Sequence, residues 1–149
     1  MQTLNWLFLF LEHPMKILIV EDDRAAAHFF AEVAKTRGFE EIDLADSAEA
    51  ALELAVDTQY DLVTLDVQLP GTSGIEVLSA IRNMCPHAII AVISGHLPGE
   101  IEPETAECAD VMIGKPVSVQ TLSTLLESAH QIYTAMSNIR ALETDLSRN

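Results

Sequence analysis

The chain has 149 residues, with eight Lys and Arg against 23 Asp and Glu, giving a formal charge of −15 at pH 7. That length suits one domain with a substantial core, since domains of about 100–200 residues are usual, and a hydrophobic content of 49% excludes an acidic disordered chain. The shortage of Lys and Arg disfavours nucleic acid and anionic membrane surfaces as partners, leaving cations and basic protein faces.

The chain opens on an apolar octad, Leu4–Leu11 (LNWLFLFL). It is too short to span a bilayer, which takes about 20 residues, and it lacks the basic region and cleavage site of a signal peptide. Three readings stay open for residues 1–14: an interfacial anchor, a segment covering an apolar patch or making a dimer contact, and leader sequence upstream of Met15. From there five short apolar runs alternate with helical patterns. The runs are Ile17–Val20, Ile42–Ala45, Leu62–Leu65, Ala88–Ile93 and Val111–Ile113. Most are continuously apolar, as expected of parallel strands covered on both faces.

Between the runs the spacing predicts helices over Arg24–Arg37, stopped by Gly38, and over Asp46–Asp57, opened by Asp46 and Glu49 as a capping box. A third is predicted over Gly74–Asn83. A fourth lies between Gly99 and Cys108, barely two turns long, with Pro103 in its first turn. Regular βα alternation implies α/β architecture, a doubly wound five-stranded parallel sheet with helices on both faces. Right-handed crossovers then place ligands beyond the carboxyl ends of the strands. Cys85 and Cys108 have no metal-ligand spacing with each other or with the five histidines, which suits reduced thiols in a cytoplasmic protein.

Glu21, Asp22 and Asp23 follow the first run, Asp66 the third, Ser94 and Gly95 the fourth, and Gly114, Lys115 and Pro116 the fifth. Crowded carboxylates repel one another unless a positive charge sits among them. A hard divalent cation such as Mg²⁺, with oxygen ligands and waters, resolves this, and Lys115 supplies a second positive charge. Such a rim is built for a dianionic group beside a metal, with Asp66 as the nucleophile receiving it.

MKILIVEDD (Met15–Asp23), DLVTLDVQLPGTSG (Asp61–Gly74), VISGH (Val92–His96) and GKPV (Gly114–Val117) together resemble a response-regulator receiver domain of two-component signalling, of the stand-alone, chemotaxis-regulator-like kind. The resemblance covers roughly residues 15–130 and implies a flavodoxin-like strand order, 2-1-3-4-5. It implies Asp66 as phosphoacceptor, served by a sensor histidine kinase or phosphotransfer protein, with signalling through a downstream protein target. It implies Mg²⁺ held by Glu21, Asp22, Asp66 and the backbone carbonyl of Gln68, with Asp23 outside that set. Lys115 and Ser94 would bind the phosphoryl group, Gly95 would admit it, and the bond before Pro116 would be cis. His96 sits where it could influence access of water. One position departs from the family: Met112 stands three residues before the Lys, where receivers commonly carry a switching Tyr or Phe.

The last helix exceeds what the fold needs. Leu122, Leu125, Ala129, Ile132, Met136 and Ile139 follow steps of three and four, a heptad seam. Residues 131–149 therefore read as an extension of that helix, which either projects as a coiled-coil stub able to pair in a homodimer or folds back. The expected function is a single-domain regulator that is not an enzyme. Its rivals are a non-switching receiver used as phosphate shuttle or dimerisation scaffold, and a small aspartyl-phosphate hydrolase. Against the hydrolase stand Gln68, where a second Asp is needed, and the lack of a substrate cap.

Overall fold

A computed structural model describes residues 14–72, 74–95 and 103–146. Leu4–Leu11, His96 and Gly99 lie outside the described residues. The strands are β1 (Met15–Val20), β2 (Phe39–Ala45), β3 (Leu62–Leu65), β4 (Ile89–Ser94) and β5 (Val111–Gly114). They form one parallel sheet in the order β2-β1-β3-β4-β5. The helices are α1 (Arg24–Thr36), α2 (Ala48–Asp57), α3 (Gly74–Met84), α4 (Pro103–Ala106) and α5 (Val119–Leu146). The expected fold class and strand order are therefore observed, and no described helix is long and apolar enough to cross a membrane.

Alternation of side chains along each strand divides the core into two layers. Leu18, Val20, Val63, Leu65, Ile90 and Val92 meet Ala48, Ala51 and Ala55 of α2 and Val77, Leu78 and Ile81 of α3. Met15, Ile17, Ile19, Leu62, Ala91 and Ile93 face the other way, onto Ala27, Phe30 and Ala34 of α1 and Leu122, Leu126 and Ala129 of α5. The alanines of α1 and α2 let those helices lie close to the sheet, which is how a core poor in aromatic residues is filled.

Local chemistry sets the helix ends. Asp23 is the N-cap of α1, its carboxylate accepting from the Ala26 N–H at 3.0 Å. Ser47, rather than the predicted Asp46, caps α2: its hydroxyl accepts from the Ala50 N–H at 3.1 Å. The cap oxygen must reach the third helical amide, and the chain enters the helix one residue later than Asp46 would require. Arg37 closes α1, its N–H donating to the Ala34 carbonyl, and Gly38 follows at φ +91°, a left-handed turn that favours glycine. The described part of the fourth helix is one turn, Pro103–Ala106, and the predicted span before it lies outside the described residues.

Arg82, at the end of α3, ties that region together. Its guanidinium donates to the carbonyls of Cys108 (3.0 Å), Pro86 (3.2 Å) and Ala88 (2.8 Å), and to the Asp110 carboxylate (2.7 Å). Asp110 in turn accepts from the Ile90 N–H at 2.8 Å, joining the approach to β5 to the start of β4.

Candidate functional site

The sheet itself positions the acidic rim. Beyond the last residue of β1, β3 and β5 the ladder continues for one more hydrogen bond. Glu21 N–H donates to the Ala45 carbonyl (2.9 Å), Asp66 N–H to Val20 (3.0 Å), and Lys115 N–H to Ser94 (3.0 Å). Three polar side chains are thereby fixed at the same end of the sheet although up to 94 residues separate them in sequence. Ser94 is the last residue of β4, not a loop residue after it, and is fully buried.

Asp66, 5% exposed, is the hub of the arrangement. Its Oδ1 accepts from the Gln68 N–H at 2.8 Å and from the Ser94 hydroxyl at 3.0 Å, while Oδ2 accepts from the Lys115 ammonium at 2.8 Å. Lys115 also donates to Glu21 Oε2 at 2.6 Å, and Glu21 Oε1 accepts from the Asp23 N–H at 3.1 Å. One ammonium thus serves two buried carboxylates. Burial, the largest influence, raises the Glu21 carboxyl above its ordinary pKa, against the opposing pull of Lys115 and the Asp23 amide. For Lys115, burial acts downward. The hydrogen bonds and charges of Asp66 and Glu21 outweigh it and hold the ammonium above its usual pKa.

Asp22 is exposed beside this pair, and Glu21, Asp22 and Asp66 each bring one carboxylate oxygen within 4.8 Å of the others. The all-oxygen donor set fits a hard cation. Gly74 shapes the floor of the site: a Cβ there would lie 2.2 Å from the Val67 Cα, and the Gly74 N–H donates to the Val67 carbonyl at 3.2 Å. Only a glycine lets α3 start this close to the residue after Asp66. On the other side the Lys115–Pro116 bond is cis. At Gly95, an added Cβ would approach the Gln68 side-chain oxygen at 3.6 Å, an ordinary contact. Met112 pairs in register with Val92 and packs, partly buried, against the layer that contains α2 and α3.

A family model described as the response regulator receiver domain matches residues 17–141. The chain belongs to this family. As a receiver it is 37% identical over 109 residues to a cyclic di-GMP phosphodiesterase of Thermotoga maritima, a match that covers 72% of this chain and 29% of the relative. It is 31% identical over 109 residues to the polar-differentiation response regulator DivK of Brucella anthropi, covering 71% of this chain and 88% of that protein. The receiver thus spans less than a third of the first relative's length and most of the second's. Among solved structures it resembles the response regulator TrrA of Thermotoga maritima in complex with Mg²⁺-BeF, at 29% identity, TM-score 0.67, and coverage of 77% and 98% of the two chains.

The structure brings Glu21, Asp22, Asp66, Ser94 and Lys115 of the sequence-predicted rim together directly, with Gln68 attached through its backbone amide. Sequence reasoning missed the bond between Lys115 and Glu21, because it assigned Lys115 to the incoming phosphoryl group. The repulsion argument already held the signal: a buried glutamate beside a second carboxylate needs a cation close by.

Proposed function

We propose that this receiver accepts a phosphoryl group on Asp66 from a phosphohistidine of a sensor histidine kinase or phosphotransfer protein, and passes the signal to a downstream protein by contact. The observation that carries this reading is the Lys115 ammonium bridging Asp66 and Glu21 while the Ser94 hydroxyl bonds Asp66 from the other side. An Asp66 oxygen attacks phosphorus as the P–N bond breaks. The bonding pair passes to the imidazole nitrogen of the donor, which takes up a proton. Lys115 then has a new anionic partner in the phosphoryl oxygens, and Ser94 can donate to one of them.

Glu21, Asp22, Asp66 and the Gln68 carbonyl would hold Mg²⁺, which when bound offsets negative charge on the transferring group. The clustering of three carboxylate oxygens supports that set. Transfer is stoichiometric, one phosphoryl group per chain, and the protein is not an enzyme in its own right. The two free thiols suit the reducing cytoplasm.

Incubation with a small phosphodonor and Mg²⁺, read by intact mass, tests this reading. The native chain is expected to gain one phosphoryl group, and Asp66→Asn or removal of the metal is expected to abolish the gain. No adduct on the native chain overturns the proposal. Steady release of phosphate from many small substrates would instead favour a hydrolase.

Met112 favours a second reading, a receiver that stores or relays phosphate with little conformational response. A flexible methionine can fill space left by Ser94 without the discrete two-position movement of a ring. Amide chemical shifts of β5 and α4 compared before and after phosphorylation separate the two. Shifts confined to residues touching Asp66 mark the relay.

A further inference from the structure

Beyond Ala129, the last residue of α5 buried in the core, the helix passes under the amino ends of the strands. Between helix and sheet it leaves a cleft of about 700 Å³. Ile132, Tyr133 and Met136 line it from the helix, Lys16 and Ile89 from the starts of β1 and β4. Ile132 is 52% exposed there and Met136 45%. The volume is that of a pocket for a ligand-sized body, enough for a few large side chains and too little for a whole helix. Apolar side chains gathered at such an opening mark a contact site.

We propose that the occupant of this cleft is the chain's own apolar octad, Leu4–Leu11, folded back beneath the sheet as a strap against Ile132 and Met136. The first reason is the tether. Glu12, His13 and Pro14 alone join Leu11 to Met15, the first residue of β1. Lys16, the next residue of that strand, already lines the cleft. Four steps of extended chain reach at most about 14 Å, so the octad starts close to the cleft wherever it points. A connector this short holds it there at an effective concentration on the order of mM.

The second reason is chemistry. Seven of the eight residues in LNWLFLFL are apolar, and no charged side chain precedes Glu12. The facing helix matches: from Ser128 to Leu142, Arg140 alone is charged with histidine neutral. The charged groups that line the cleft balance, Lys16 and Arg140 against Asp57 and Asp61. In a chain of −15 this is a place where an uncharged segment loses nothing by approaching.

The third reason is what each rival occupant leaves uncovered. A second copy seated on α5 would leave the octad in water at the margin of the contact. A bilayer would take up the octad but leave Ile132 and Met136 exposed, and an anionic one would repel this chain. The strap removes both apolar surfaces from water at once. The cleft lies at the amino ends of the strands and Asp66 at their carboxyl ends, so the acceptor site stays open. The proposal does not rest on the phosphoryl-transfer reading.

Trp6 is the one tryptophan of the chain, so tryptophan fluorescence reads the octad alone. In the full native chain its emission is expected to be blue-shifted from that of the urea-unfolded chain and shielded from acrylamide, at every protein concentration. Met136→Glu, which sets a carboxylate in the wall of the cleft, is expected to move emission to the unfolded position and remove the shielding. Phe8→Glu, made in the octad itself, should do the same without touching α5. Circular dichroism and phosphoryl uptake should stay native in both. Asn138→Glu lies about 200° round the helix from Met136 and should leave emission unchanged. Native emission already at the unfolded position overturns the proposal, as does a blue shift indifferent to Met136→Glu. A blue shift that appears only as protein concentration rises, or only with phosphatidylcholine vesicles, assigns the octad to a second copy or to lipid and likewise overturns it.

Discussion

Thr64 shows what the central strand tolerates. It lies in β3 at 2% exposure, paired in register with Ile19 and Ala91, and its hydroxyl has no hydrogen-bond partner. An unmet buried polar group costs about 1–3 kcal/mol, and valine has nearly the same shape. Thr64→Val is therefore expected to stabilise the fold by about 1 kcal/mol, read as a higher urea midpoint at unchanged slope. A lower midpoint would show that the hydroxyl is satisfied in solution. The same scale explains what sequence could and could not reveal about the site. Glu21, Asp22, Asp66, Ser94 and Lys115 were legible because each sits at a strand end, where chain alternation already placed the rim. The Lys115–Glu21 bond was overlooked, since Lys115 had been assigned to the incoming phosphoryl group although carboxylate repulsion already called for a cation beside Glu21. The partners of Arg82 were hidden for a different reason: three of the four are backbone carbonyls, and carbonyls carry no sequence signature.

Among the elements, the turn from β3 into α3 has the least room. With Val67 backbone atoms so near Gly74, even alanine must push the helix away from the residue that follows Asp66. Gly74→Ala should cost about 2 kcal/mol or more, the scale of overpacking against atoms that cannot rotate aside. It should also slow phosphoryl uptake, because Asp66 and Gln68 flank the displaced Val67. Thermal melts together with timed intact-mass measurements check both effects, and a variant with native values in each would show that the turn has slack. Strand positions were readable to within a few residues, as continuous apolar runs demand cover on both faces. Helix entries were less so, because Asp46 and Ser47 are both good caps and only backbone direction chooses between them.

Over the whole molecule, acids outnumber bases by 23 to 8, and self-repulsion weakens the compact state. Screening shortens from about 30 Å at 0.01 M salt to about 8 Å at 0.15 M. The melting temperature should accordingly rise by a few degrees over that range, measured by circular dichroism in KCl without divalent ions. A fall would mean that local pairs, such as Arg82 with Asp110 and Lys115 with Asp66, outweigh the general repulsion.

The double pairing of Lys115 has a consequence for the protein's life history. Two carboxylates closed into a protein interior with nothing positive beside them would oppose the last stage of folding until an ion arrived. Here the chain brings its own cation to that place, from the residue that follows its fifth strand, as the sheet is completed. A newly made molecule can therefore mature where divalent ions are scarce. Under the proposed function, binding one would then belong to the working cycle and could be repeated, rather than to a single irreversible act of assembly.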